Sequence, residues 1–475
     1  MPDAGNRGGK HLDGASVILT LEEIQAAISP ATFAGEPSRH KISPAGIATD
    51  SRQIKDGELF FALSGDKFDG HDFVMSVQAR ALAAVVEESW FEKTKPVSGN
   101  FLIVQDSLRA LQNCGRAVRR AWQRPIVAIG GSNGKTTTKE LVFSVLSQAR
   151  QTHRTLGNLN NHLGVPLTLG GLQQSHEVAV IEMGTNHFGE ISRLCDIAEP
   201  DYGLITNIGR EHLEYFVDLA GVARAEFELF DYLTEHHSTA LVNIDDPTMR
   251  AKTWGNLPTI TFGFSEGAQV RGVHATIDED GCPTFSVNDV FMRVPIPGAH
   301  NAINALAAVA VGLQFGVSLQ QARAGIESCR PVSKRMQVER LAGVTIINDA
   351  YNANPESMRA ALDSLVAMPV AKGGRRVAVL GDMLELGEAS APSHREIGET
   401  INQLKIDAVF AFGEAAREMV KTVDANRLAA VEHFNDKRKM CDAVCQFLQS
   451  GDLVLVKGSR GMAMEEVIEA FRRAS

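Results

Sequence analysis

The stretch Gly131-Ser132-Asn133-Gly134-Lys135-Thr136-Thr137 follows the β-branched, apolar run Ile126-Val127-Ala128-Ile129. After it, Leu141, Val142, Val145, Leu146 and Ala149 recur at the spacing of one helix face. Strand, glycine turn, Lys-Thr and helix form a phosphate-binding layout. Backbone N–H groups and the helix N-terminus face an anion, Lys135 adds a point charge, and the Thr136 hydroxyl is placed to hold Mg²⁺. The ordinary long-spaced pattern would need Gly at 129, which is Ile here, so this is a shorter Gly-x-x-Gly-Lys-Thr-Thr form. A bare turn capping a buried helix is the bland alternative. The strand and helix context favours a bound nucleoside triphosphate.

A chain of 475 residues is too long for one core and points to about three domains. Apolar content of 44% and charged content of 22% are those of an ordinary globular protein. A net charge of −10 argues against a nucleic-acid-binding surface. The six cysteines are scattered, with Cys441 and Cys445 at a helix-packing spacing, so free thiols in a reducing compartment are expected. No apolar stretch reaches the roughly 20 residues of a membrane span. The opening MPDAGNRGGKHLDGA has no apolar core of a signal peptide and reads as a flexible tail, 1–16. A cytoplasmic monomer without membrane insertion is expected.

The remainder reads as an α/β chain of three domains. A small mixed domain covers 17–111, a central P-loop domain 112–313, and a C-terminal Rossmann-like domain 314–475. In the first, Thr49-Asp50-Ser51-Arg52 is either a turn started by an Asx bond or a contact for a phosphorylated substrate. In the second, Val178–Ile181 ends at Glu182, and Tyr202–Ile205 leads to Arg210-Glu211-His212. Ligands of open parallel sheets sit beyond the carboxyl ends of strands, so the glycine loop, Glu182 and His212 are expected to converge on metal and phosphate. The loop from Thr155 to Pro166 is dense in Asn and Gly, with Asn158, Asn160 and Asn161 as polar candidates or plain turn residues. Asn301 and Asn304 lie three apart on one helix face, able to hydrogen-bond a base edge. Further strands are expected at Val344–Asn348, Arg376–Leu380, Ala408–Phe412 and Leu453–Lys457. Each is followed by a polar loop, as a second substrate site would require.

These motifs resemble the Mur ligases over nearly the whole chain, from Leu19 to Phe471. The carriers are GSNGKTTTKE (131–140), TLGNLNNHLGVPLTL (155–169), IEMGTNHFGEI (181–191), TNIGREHLE (206–214), NDAYNANPESM (348–358), VLGDMLELGE (379–388) and VKGSRGMAMEE (456–466). The glycine loop is common to all Mur and folylpolyglutamate-type ligases. Asn352-Ala353-Asn354-Pro355 and Gly381–Gly387 point within the family to the branch that joins D-alanyl-D-alanine to UDP-N-acetylmuramoyl-tripeptide. The resemblance implies that ATP phosphorylates the tripeptide carboxylate and that the dipeptide amine displaces phosphate from the acyl phosphate. It implies ATP contacts from Gly131 to Thr137 and from Asn301, Asn304, Arg335 and Asp349. It implies Mg²⁺ on Thr136 and Glu182, a second ion on His212, and catalytic parts for Lys135, Glu182, His212 and Arg335. Substrate contacts are implied for Ser51, Arg52, Asn158, Asn160, Asn161, Asn352, Asn354 and Arg460.

Two positions depart from the pattern. The family carries a carbamylated lysine in an Ala-Lys-x-Glu-[Ile/Leu]-Phe context, whereas this chain reads Ala225-Glu226-Phe227-Glu228-Leu229-Phe230, with Glu226 at the lysine position. Glu226 either supplies the same negative charge on a shorter side chain as a metal ligand, or pairs with a neighbouring base. The second departure is Gly130, where relatives often carry Thr. The rival readings are a Mur-type ligase for another amine and a non-catalytic protein that binds ATP and a cell-wall nucleotide.

Overall fold

The structure is a computed structural model and describes residues 17–65 and 68–474. The expected N-terminal tail, 1–16, lies outside the described residues. Packing divides the chain into two compact units. The first holds the described residues up to Ile126 together with Thr155–Ile181 and Arg193–Glu199; the second holds Val127–Arg154, Glu182–Ser192 and the chain from Pro200 onward.

The first unit starts at a capping box. Thr20 Oγ1 accepts from Glu23 N–H while the Glu23 carboxylate accepts from Thr20 N–H, satisfying two orphan donors of the helix Leu21–Ala27. A five-stranded sheet follows in the order Ala31–Ala34, Phe101–Val104, Ala83–Glu87, Leu59–Phe61, Ile47–Ala48. The first pair is antiparallel and the rest are parallel. Phe60, Ala62, Ala84 and Val86 from the strands or their ends and Val74 and Val77 from a short helix are buried in one core. The helix Ser107–Trp122, capped by Asp106 on Arg109 N–H, runs without a break across the expected boundary at 111/112. Its Gly115 allows close approach to Pro166, whose Cα a Cβ there would meet at 2.7 Å.

In the second unit a parallel ladder runs from Ile126–Gly130 through Tyr202–Ile205, Thr239–Asn243 and Thr259–Gly263 to Val270–Arg271. Ile129, Leu204 and Ile205 are fully buried, each contributing about 1.5–3 kcal/mol of apolar burial. Continuous apolar runs of this kind belong to strands covered on both faces. An antiparallel trio, Val273–Ile277, Pro283–Val287 and Val290–Arg293, follows; the sequence reading did not separate it.

The chain then builds a six-stranded sheet in the order Gln337–Leu341, Val344–Asp349, Leu453–Lys457, Arg376–Gly381, Ala408–Phe412, Ala430–Phe434. Only the outer pair formed by Gln337–Leu341 and Val344–Asp349 is antiparallel. The four strands read from sequence are present within a residue; the two edge strands, less apolar and only part-buried, were not read. All six cysteines are free thiols, five of them buried. Burial pushes the Cys114 thiol up to about 12. Among the described residues no helix is long and apolar enough to cross a membrane.

Candidate active site

Gly131 and Gly134 both have positive φ, +113° and +82°, which a β-carbon disfavours and which the tight loop requires. A Cβ at Gly134 would meet Asn304 Oδ1 at 2.8 Å. The loop is tied to the segment after Tyr202–Ile205 by a set of crossed bonds. Ser132 Oγ donates to Gly209 O at 3.1 Å and accepts from Gly209 N–H at 2.8 Å. Asn133 N–H donates to Asn207 Oδ1, and Asn133 O accepts from Thr206 Oγ1 and Asn207 Nδ2. The loop is thereby tied at both its side chains and its backbone.

From the helix Lys135–Leu146, Lys135 Nζ reaches back to the Gly131 and Ser132 carbonyls and lies 3.6 Å from Glu211 Oε2. Burial pulls the ammonium pKa down, but Glu211, Glu226 and Glu182 outweigh it and hold Lys135 above its ordinary value. Thr136 Oγ1 donates to Glu182 Oε1 at 3.1 Å, and the buried Lys139 ammonium stands 3.6 Å from Glu182 Oε2. Thr137 is half-buried in the same first turn. A hydroxyl and a carboxylate side by side are hard oxygen donors. Magnesium is usually held by one or two such groups plus substrate phosphates, so this pair fits it.

Glu226 is fully buried and accepts Gly131 N–H on Oε2 at 2.6 Å. Among the described residues, its Oε1 and Glu211 Oε1 are buried without a hydrogen-bond partner. Burial pushes Glu226 upward, and pushes Glu211 up to about 8, against the pull of Lys135. His212, at φ +49°, has Nδ1 2.5 Å from Glu385 Oε2 and Nε2 3.9 Å from Glu211 Oε2. Burial lowers its pKa although Glu385 opposes this.

Among the described residues no three His, Cys, Asp or Glu side chains gather as a metal cluster. Thr136 and Glu182 stand together, while His212 contacts Glu385 and Glu226 bonds the phosphate loop.

Several other candidates have structural partners. Asn304 Nδ2 donates to Asn301 Oδ1, and Asn301 Nδ2 donates to Pro297 O, both side chains being buried. Asn304 stands against Gly134 of the phosphate loop. Asp349 accepts from Lys457 Nζ at 2.5 Å and from Met336 N–H at 3.1 Å. The Arg335 guanidinium lies 3.9 Å over the Tyr351 ring, with Arg460 on the same ring at 5.7 Å. Asn354 caps the helix Pro355–Ala367 and donates to Asn133 Oδ1 at 2.9 Å. Asn352 Oδ1 accepts Arg460 N–H at 3.4 Å.

Glu211, His212, Asn352, Ala353, Asn354, Leu384, Glu385, Leu386, Ser459, Arg460 and Gly461 enclose a cleft of about 130 Å³. Its lining carries two carboxylates, an imidazole and a guanidinium, and Glu211 links it to Lys135, whose Nζ lies 3.6 Å away.

In the first unit, Arg52 N–H and guanidinium both bond Asp50, the Asx turn of the simpler reading, with Ser51 half-buried between them. Asn161 Oδ1 accepts the Leu163 and Gly164 N–H groups, and Asn158 O accepts Asn160 N–H. These are turn-forming roles. Sequence reasoning assigned nothing to Glu211, Glu385, Lys139, Tyr351 or Arg210. All five lay inside quoted motifs, as did Arg210's partner Glu356 but not Glu396, and a charged residue just past an apolar strand was the signal for Glu211 and Arg210.

Family models match three segments: "Mur ligase family, catalytic domain" at 44–113, "Mur ligase middle domain" at 129–312, and "Mur ligase, glutamate ligase domain" at 334–460. The UDP-N-acetylmuramoyl-tripeptide–D-alanyl-D-alanine ligase of Escherichia coli K12 is 36% identical, covering 92% of this chain and 96% of the relative. That of Bacillus subtilis 168 is 35% identical, covering 89% and 92%. Among solved structures, MurF from Acinetobacter baumannii superposes with TM-score 0.83 at 31% identity, covering 96% of this chain and 98% of that one. MurF ligase from Thermotoga maritima in complex with ADP gives 0.77 at 28%, covering 90% and 97%. This chain belongs to the Mur ligase family, in its MurF branch.

Proposed function

We propose that the protein joins D-alanyl-D-alanine to UDP-N-acetylmuramoyl-tripeptide at the expense of ATP, yielding the UDP-muramoyl-pentapeptide precursor of peptidoglycan. The observation that carries this reading is a polar cleft whose lining residue Glu211 stands 3.6 Å from Lys135 of the phosphate loop, since amide ligation needs a phosphoryl donor and an amine at one carbon. A carboxylate is a poor electrophile. Its oxygen attacks the γ-phosphorus, ADP leaves, and the acyl phosphate formed carries a competent leaving group. The amine nitrogen then adds to the carbonyl carbon, the tetrahedral intermediate expels inorganic phosphate, and the nitrogen releases a proton.

Phosphoryl transfer asks for positioning and charge neutralisation above all. The loop 131–137 holds the phosphates, and Lys135 neutralises the β and γ oxygens. Thr136 and Glu182 would hold Mg²⁺, which supplies Lewis-acid neutralisation of the same oxygens when bound. Asn301 and Asn304 act on the nucleotide through Gly134, and Arg335 reaches it from its stack on Tyr351. Asp349 serves by holding Lys457 at the Asn352 carbonyl. Arg460 and Asn352 take the dipeptide end of the cleft; Ser51, Arg52, Asn158, Asn160 and Asn161 take the UDP-substrate. Glu226 adds negative charge behind the phosphate loop.

The test is phosphate release from ATP with UDP-muramoyl-tripeptide against a panel of amines. Release that needs D-alanyl-D-alanine supports the reading. Release with another amine alone points to the rival ligase, and none at all to the binding-only protein.

A further inference from the structure

Arg210 lies in the segment bonded to the phosphate loop through Gly209 and Asn207, yet its side chain leaves that loop. Nε donates to Glu356 Oε1 at 2.6 Å and the Arg210 N–H to Glu356 Oε2 at 3.0 Å. Nη1 and Nη2 donate to the two Glu396 oxygens at 2.8 and 3.1 Å. A planar five-donor fork thus satisfies two carboxylates on two helices, a task a lysine cannot copy. Glu356 is in the first turn of Pro355–Ala367, directly after the cleft residues Asn352–Asn354. Glu396 is on Ser390–Gln403, whose buried His394 accepts Met383 N–H on Nε2 at 3.0 Å and so fixes the approach to Leu384–Leu386. Arg210 therefore joins both walls of the cleft to the loop that holds the phosphates.

We propose that Arg210 is a positioning residue that seats the amine-binding walls of the cleft on the nucleotide loop. The role rests on the cleft's taking the amine substrate, as proposed above. Side-chain exposures of 33%, 38% and 36% for Arg210, Glu356 and Glu396 leave this cluster wet, where ion pairs add little to folding stability. Its value lies in geometry. Arg359 stands 4.0 Å from Glu396, but Arg210 is the group that joins the Glu356 and Glu396 carboxylates, so without it two carboxylates would face each other across the junction. Small misplacements between reacting groups cost rate steeply.

The experiment compares Arg210→Gln, Arg210→Lys and Glu396→Gln with the wild type. Readouts are kcat and KM for ATP and for D-alanyl-D-alanine separately, melting temperature, and the radius of gyration by X-ray scattering. Arg210→Gln should lower kcat/KM for the dipeptide about tenfold or more while KM for ATP stays within about twofold. Its radius of gyration should rise. Arg210→Lys should recover part of the loss, and Glu396→Gln should show a smaller change of the same kind. Unchanged dipeptide kinetics and scattering in Arg210→Gln would overturn the proposal, as would equal losses for ATP and dipeptide with a lowered melting temperature. If the wild type shows no dipeptide dependence, the ligase reading fails, and the scattering comparison still decides whether Arg210 seats the walls.

Discussion

At Gly130 a β-carbon would come within 2.8 Å of Glu226 Oε2, the oxygen that accepts Gly131 N–H. The two departures from the family pattern are therefore one feature: the missing side chain at 130 makes room for the carboxylate at 226. Gly130→Ala should displace Glu226 and cost about 1–3 kcal/mol in denaturant unfolding, as overpacked sites do. No loss would mean that Glu226 is not confined there. Glu226→Gln keeps an acceptor for Gly131 N–H and removes the charge, so it should raise the Mg²⁺ concentration needed for half-maximal turnover. An unchanged Mg²⁺ titration would show that its charge does not reach the phosphates. The sequence showed the Glu at the lysine position and the Gly at 130 as two separate departures, because the contact joins residues far apart in the chain. Asn301 and Asn304 teach the same lesson. Their spacing correctly placed them on one face, yet it is Asn304 that stands against Gly134, and only tertiary packing tells which neighbour a face meets.

Among the elements, strands were legible wherever burial on both faces left a continuous apolar run, as at Ile126–Ile129 and Leu453–Val456. The edge strands Gln337–Leu341 and Ala430–Phe434 carry mixed side chains and gave no such signal. In the helix Ser390–Gln403 the buried His394 carried no sequence signal. His394 Nδ1 faces Ser390 O at 2.7 Å and Nε2 accepts Met383 N–H, an arrangement that needs a neutral ring. Burial lowers its pKa below 6.5, while Asp382 and Glu418 pull the other way. With the folded-state pKa depressed, the unfolded chain binds the proton first. This contribution to stability is complete above pH 6.5 and is lost as the pH falls from there through the folded-state value. His394→Gln, which offers an acceptor and a donor without titrating, should flatten that part of the pH–stability curve. A parallel, undiminished slope in the variant would assign it elsewhere.

For the molecule as a whole, the α/β class and three-domain family fold were readable from alternating strand and helix patterns and motif order. The amphipathic helix Ser107–Trp122 carries no breaker at 111/112, and the compact units interleave along the chain. The arrangement of polar loops around one cleft was inferable as a tendency of strand ends. Its actual walls, and the Arg210 fork between them, depend on pairings between distant segments.

The most direct test of the account follows isotopically heavy oxygen from the terminal carboxylate of UDP-muramoyl-tripeptide during turnover with ATP, Mg²⁺ and D-alanyl-D-alanine. Transfer of one labelled oxygen into each phosphate released, with UDP-muramoyl-pentapeptide formed in equal amount, is the predicted result. Pentapeptide formed with unlabelled phosphate, or phosphate released without pentapeptide, would contradict an acyl-phosphate ligase.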